Sequence, residues 1–268
     1  MQSSSFTTLR ILTHLLAVTL AAASILGAFV PSTYELDSAS IAAQGAGQDL
    51  VNLFLVVPLL LITFRYASRG HRTAALLYGG ILFYILYSFV IYCFGVHFNN
   101  AFLLYCATLG LSLYSFILLV SVLRDSRVEE WFAGAPVKLI SVYLFLVAVI
   151  FYGMWLGSIV PAMVEGRLPA DVADYGLLVN PVHVADLAFA LPGLLIGSVL
   201  IWRKRAMGYI ISSVALVFMI LLTIALAAMV VMVTLRGISE DFSVAAVFGV
   251  LTLTSITITV LLFRRIQR

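Results

Sequence analysis

Eight stretches of about 20 or more almost uninterrupted apolar residues dominate this chain, and no other feature restricts its fold as strongly. They cover approximately 9–30, 47–66, 73–94, 101–123, 139–162, 182–202, 208–235 and 242–263. A helix needs about 20 apolar residues to cross a hydrocarbon layer of roughly 30 Å. Transmembrane β-strands would instead read as alternating segments of about 10 residues. These runs are apolar on every face, so the expected fold class is all-α: a polytopic membrane bundle of about eight transmembrane helices. Composition agrees, with 63% apolar residues, 10% charged residues and a mean hydropathy of +1.14. Soluble domains sit near half and a quarter. A secreted domain, a disordered chain and a water-soluble enzyme are excluded.

The charges are sorted by side. With the N-terminus inside, the cytoplasmic segments hold Arg10, Arg65, Arg69, Arg72, Arg124, Arg127, Lys138, Arg203, Lys204, Arg205, Arg264, Arg265 and Arg268, leaving outside only Arg167 and Arg236 of the 15 cations. The positive-inside rule then predicts cytoplasmic N- and C-termini in a plasma (inner) membrane. Of the 12 acidic residues only Asp125, Glu129 and Glu130 fall inside. The net charge of +3 is therefore a basic inner rim added to an acidic outer face, and implies no nucleic-acid partner. Arg10 and Ala21-Ala22-Ala23-Ser24 give the first run some likeness to a signal peptide. Its apolar stretch exceeds the usual 7–15 or so residues, so a retained helix is expected.

Rare residues recur in order. Val30-Pro31-Ser32-Thr33-Tyr34-Glu35 and Val160-Pro161-Ala162-Met163-Val164-Glu165 share Val-Pro-x-x-x-Glu. Val57-Pro58-Leu59-Leu60-Leu61-Ile62 parallels Leu191-Pro192-Gly193-Leu194-Leu195-Ile196, and in that register Arg69 meets Arg203. The pattern predicts an internal repeat of two parallel four-helix halves. Their expected limits are 1–124 and 138–268, with a cytoplasmic connector at 125–137. The connector mixes charges with Trp131, Phe132 and Pro136 and suits a short surface helix.

Ionisable groups inside spans are costly and are functional candidates by default. The second run opens Gln48-Asp49-Leu50-Val51-Asn52 and the sixth opens Val182-His183-Val184-Ala185-Asp186. In the repeat register Asp49 aligns with His183 and Asn52 with Asp186, each pair at the i, i+3 spacing that shares a helix face. Pro58 and Pro192 follow, each removing an N–H and freeing a carbonyl near Phe54 and Ala188. If both runs face a central seam, Asp49, Asn52, His183 and Asp186 converge near the outer leaflet, with His97, Asn99 and Asn100 in an adjoining loop and Asn180 just before the sixth run. Tyr92 and Tyr105 lie near the outer ends of their helices. A plainer account of the same residues is helix capping, with Asn180 as N-cap and Pro181 at the first position. A further one is interhelical hydrogen bonding.

The aromatic third run, with Tyr78, Phe83, Tyr84, Tyr87, Phe89, Tyr92 and Phe94, reads as bundle interior, because mid-span tyrosines need hydroxyl partners. Cys93 and Cys106 read as two free buried thiols, with a disulfide as the alternative. The loop 163–181, carrying Glu165, Arg167, Asp171 and Asp174, is long enough to cover a site. No motif identifies a cofactor, and no metal-binding or hydrolase pattern is present. Three functional readings stay open. The first is binding, transport or sensing of a small ligand, ion or lipid in an outward-facing pocket between the second and sixth helices. The second is an accessory subunit serving a membrane partner. The third is an intramembrane enzyme using His183 and Asp186.

Overall fold

The computed structural model of the protein describes residues 2–239 and 242–267. Arg268, Glu240 and Asp241, all assigned to sides above, lie outside the described residues. Eight helices are long and apolar enough to cross a membrane: α1 (Ser5–Phe29), α2 (Ala39–Ala67), α3 (Arg72–Gly95), α4 (Phe102–Arg124), α5 (Val137–Val164), α6 (Pro181–Trp202), α7 (Ala206–Leu235) and α8 (Ser243–Phe263). The all-α polytopic bundle expected from the sequence is what forms.

The helices α3 and α7 make the spine. α3 packs on α2, α4 and α7, and α7 packs on α2, α3, α6 and α8. The first turn of α6 also reaches α3, mirroring the contact of α2 with α7. Lipid tails are as apolar as the helices, so close packing rather than water exclusion must hold such a bundle together. Small residues permit it: a Cβ on Gly80 would fall 2.3 Å from Val217 Cβ and 3.0 Å from the Val214 carbonyl. Tyr78, Tyr84 and Phe89 of α3 are fully buried, which makes the aromatic helix interior. The outer pairs differ. α1 packs along α4, whereas α5 and α8 meet at only a few positions.

Three sequence expectations change. α2 begins at Ala39, eight residues before the expected 47, after Ser38 caps it by accepting a hydrogen bond from Ile41 N. Ala39–Gly47 is too poor in large apolar residues to read as a span, but its small residues bring the backbone against α7, and a Cβ on Gly47 would lie 2.7 Å from the Ala228 carbonyl. The connector is not a surface helix. It forms a 3₁₀ turn, Val128–Trp131, entered through Arg127 at φ 45°, and an isolated bridge from Phe132 to Ile266. Trp131 accepts from Gln267 N, Arg72 lies over its ring, and Phe132 stacks on Tyr209 at 4.8 Å. The connector spends its aromatics on tertiary contacts, so it has no apolar helical face to lay on a surface. Finally, the Val-Pro match does not give matching local structure. Pro31 starts a 3₁₀ turn after α1, whereas Pro161 sits inside α5.

One correspondence is closer than the sequence alone implies. α2 and α6 each contain a five-residue π-helical segment, Asn52–Val56 and Asp186–Ala190, with first residues 134 apart (186 less 52). Pro58 and Pro192 follow each at the same distance. A helical proline clashes with the carbonyl four residues back, and the wider π turn carries that carbonyl away.

Candidate functional site

Asp49 is the eleventh residue of α2, so at 1.5 Å per residue it sits about 15 Å along the helix, deeper than a start at 47 implied. It is 1% exposed. Tyr34, from the 3₁₀ turn after α1, donates to Oδ2 at 2.5 Å, and Tyr92 of α3 donates to Oδ1 at 3.1 Å. Gly27 makes the space, since a Cβ there would fall 1.8 Å from Asp49 Oδ2. Burial, with Tyr92 and Asp49 adding, pushes the Tyr34 phenol well above its ordinary pKa, so it stays a hydrogen-bond donor. One turn on, Asn52 Oδ1 accepts from Tyr84 at 3.1 Å, and Gln48 donates to the same phenol oxygen at 3.4 Å. Asn52 Nδ2 has no hydrogen-bond partner among the described residues.

Asp186 is 7% exposed and belongs to a second cluster. Tyr87 of α3 donates to Oδ1 at 2.8 Å, and Trp155 Nε1 of α5 donates to Oδ2 at 2.7 Å. The Trp155 ring lies 4.5 Å from that of His183. His183 Nε2 approaches Asp171 Oδ2 to 3.0 Å without the alignment of a hydrogen bond. Asn180 does cap α6: its Oδ1 accepts from Val182 N, while its Nδ2 donates to Asp171. Asp171 belongs to the short helix Ala170–Asp174, so the long loop is tied to the head of α6.

Asp49 and Asp186 share no hydrogen-bond partner, and the helix between them serves both. Tyr84 and Tyr92 face α2, and Tyr87 faces α6. His97 pairs with neither carboxylate: its Nδ1 is 2.8 Å from Asp37 Oδ1, which also accepts from its backbone N. Asn99 Oδ1 accepts from Ala101 N where α4 begins, and Nδ2 donates to Tyr105 at 3.4 Å. Asn100 takes no part in these clusters. The thiols of Cys93 and Cys106 are free, Cys106 being exposed rather than buried. Among the described residues no group of three or more His, Cys, Asp or Glu side chains is placed to hold a metal.

Sequence reasoning missed Tyr34, Trp155 and Gly27, and of the α3 tyrosines it set only Tyr92 near the carboxylates, leaving out Tyr84 and Tyr87. The usable signal was stoichiometric: buried carboxylates lacking basic partners, beside mid-span hydroxyls lacking acceptors.

A cavity of about 60 Å³ lies among α5, α6, α7 and α8. Tyr143, Phe151, Leu194, Phe218 and Leu251 contribute apolar wall, and Asp186 is its one acidic lining residue. Tyr143 and Ser255 join hydroxyls at 2.6 Å across the α5–α8 gap. α1 and α4, by contrast, pack closely along each other.

Fold and polar clusters together define a multi-pass helical membrane protein with carboxyl groups sequestered inside the bundle. No known protein family, curated protein or solved structure matches the chain.

Proposed function

We propose that this protein binds an amphipathic molecule of the bilayer in its second half, with a hydroxyl or amine head at Asp186 and an apolar tail between α5 and α8. One observation carries the reading: a buried aspartate borders a mostly apolar cavity where α5 and α8 meet at only a few positions. Tyr87 and Trp155 supply one donor to each carboxyl oxygen. A carboxylate has about four acceptor sites, so capacity remains for a ligand's donor. On this reading, 1–124 and 138–268 derive from one duplicated four-helix unit, supported by the shared π turns and the mirrored contacts of α2 and α6. The first half is a closed scaffold and the second the binding half. The charge distribution supports cytoplasmic termini in the inner membrane, with the head of α6 toward the outer leaflet.

The test is native mass spectrometry of protein extracted in mild detergent. A small-molecule adduct is expected on the wild type and absent from Leu251→Trp, which fills the cavity, with the helical circular dichroism retained. A wild type free of adducts, or an adduct that survives both Leu251→Trp and Asp186→Asn, refutes the proposal. The same gap supports a second reading, in which a partner subunit's transmembrane helix completes the α5–α8 face. A protein-sized adduct in the same spectrum would favour it.

A further inference from the structure

At the end of the bundle that carries the connector, a groove of about 480 Å³ runs between α5 and α6. It is distinct from the Asp186 cavity and uses none of its residues. Its walls are Val142 and Phe145 on α5 and Val199 and Trp202 on α6, all about half exposed. Its floor is Ser141 and Ser198, which satisfy each other: Ser141 Oγ donates to the Ser198 carbonyl at 2.8 Å, and Ser198 Oγ to the Ser141 carbonyl at 3.0 Å. The floor therefore asks for nothing from an occupant. Its mouth is different. Arg203 lines it, Lys138 lies with Nζ 5.8 Å from the centre of the Trp202 ring, and Lys204 and Arg205 follow in the turn to α7. None of these four cations is in an ion pair with the described residues.

We infer that this groove binds an anionic phospholipid, with its phosphodiester between Lys138 and Arg203 and one acyl chain along Val142, Phe145 and Val199. Charge complementarity selects the head, since uncompensated cations at a helix end are the recognition chemistry for anionic head groups. The apolar walls leading away from the cations select a lipid over a free anion. Trp202, half exposed beside them, sits at the depth where an indole meets head groups. Each cation beside an anionic lipid surface strengthens association by about fivefold, so the pair is worth roughly 25-fold.

Trp202 is the reporter. The full chain is reconstituted in phosphatidylcholine vesicles containing a small, equal fraction of dibrominated phosphatidylglycerol or dibrominated phosphatidylcholine. The quenching lost in Trp202→Phe isolates the Trp202 signal from those of Trp131 and Trp155. Stronger quenching by the brominated phosphatidylglycerol is expected in the wild type, falling to parity in Lys138→Gln/Arg203→Gln. Both positions are exposed, so the fold is retained. Equal quenching by the two lipids in the wild type, or an unchanged preference in the double variant, overturns the inference. So does loss of the preference on adding millimolar inorganic phosphate, which would assign the cations to a free anion.

Discussion

Replacing Gly27 with alanine tests the Asp49 cluster at its tightest point. The new methyl carbon would stand 1.8 Å from Asp49 Oδ2 and 2.6 Å from the Tyr34 hydroxyl, far inside van der Waals contact. The backbone of α1 cannot retreat, because α1 is packed along α4. The carboxyl must swing away and break its 2.5 Å hydrogen bond from Tyr34. Leaving a buried polar group unpartnered costs about 1–3 kcal/mol. Overpacking costs about 1–3 kcal/mol more. Exchanging glycine for alanine in a helix returns about 1 kcal/mol. A net loss of about 3 kcal/mol is expected, a fall in Tm of roughly 6–12 °C at this chain length. The assay is tryptophan-detected thermal unfolding in mild detergent. Gly110→Ala is the control: a Cβ there meets nothing within 4 Å, so the helix gain should appear alone and Tm should not fall. The decisive measurement is Gly27→Ala in an Asp49→Ala background, where the obstructing oxygen is gone. There the substitution should cost much less, since only the contact with the Tyr34 hydroxyl remains and that hydroxyl is no longer held by the carboxyl. If it costs the same with and without the aspartate, the account of Gly27 as the notch for this carboxyl is wrong.

Tyr87→Phe should destabilise by about 1–3 kcal/mol, because Asp186 Oδ1 loses its donor, and most of that cost should vanish in an Asp186→Ala background. Gly208→Ala should cost about 3 kcal/mol, since its Cβ would fall 2.3 Å from Ile201 N, and unfolding midpoints would show it. Single cysteines at Ser68 and at Leu178, each in a Cys93→Ser/Cys106→Ser background, should react with an impermeant maleimide from opposite sides of the membrane, Leu178→Cys from outside intact cells. Labelling of both from one side would refute the assigned orientation.

The spans were legible because lipid imposes one requirement, about 20 apolar residues per crossing, and the sequence meets it eight times. The start of α2 was not. Ala39–Gly47 is helical through its Ser38 cap and its fit against α7, and neither leaves a hydropathy signal. The importance of Asp49, Asn52, His183 and Asp186 was legible, since a polar residue in a span needs a reason, and all four are buried. Their partners were not. Tyr34, Tyr87 and Trp155 come from other helices and turns, and only rotation of one helix against another brings them in. The role of Asn180 was readable because capping is local: it needs only Asn followed by Pro at a helix start.

The π turns of α2 and α6 make each helix a screw with one surplus residue. An α-helix advances 100° per residue, so absorbing that residue into α geometry would turn everything on its N-terminal side by about that angle. In α6 the segment above the turn carries His183, and Asp186 is the hinge residue itself. In α2 it carries Gln48 and Asp49. A local rewinding would therefore turn the buried polar groups above it away from their present partners. Deleting one residue from 187–190 should fix α6 in the rewound register. The expected result is a folded protein in which Tyr87→Phe no longer costs stability, because Asp186 has been turned out of its reach.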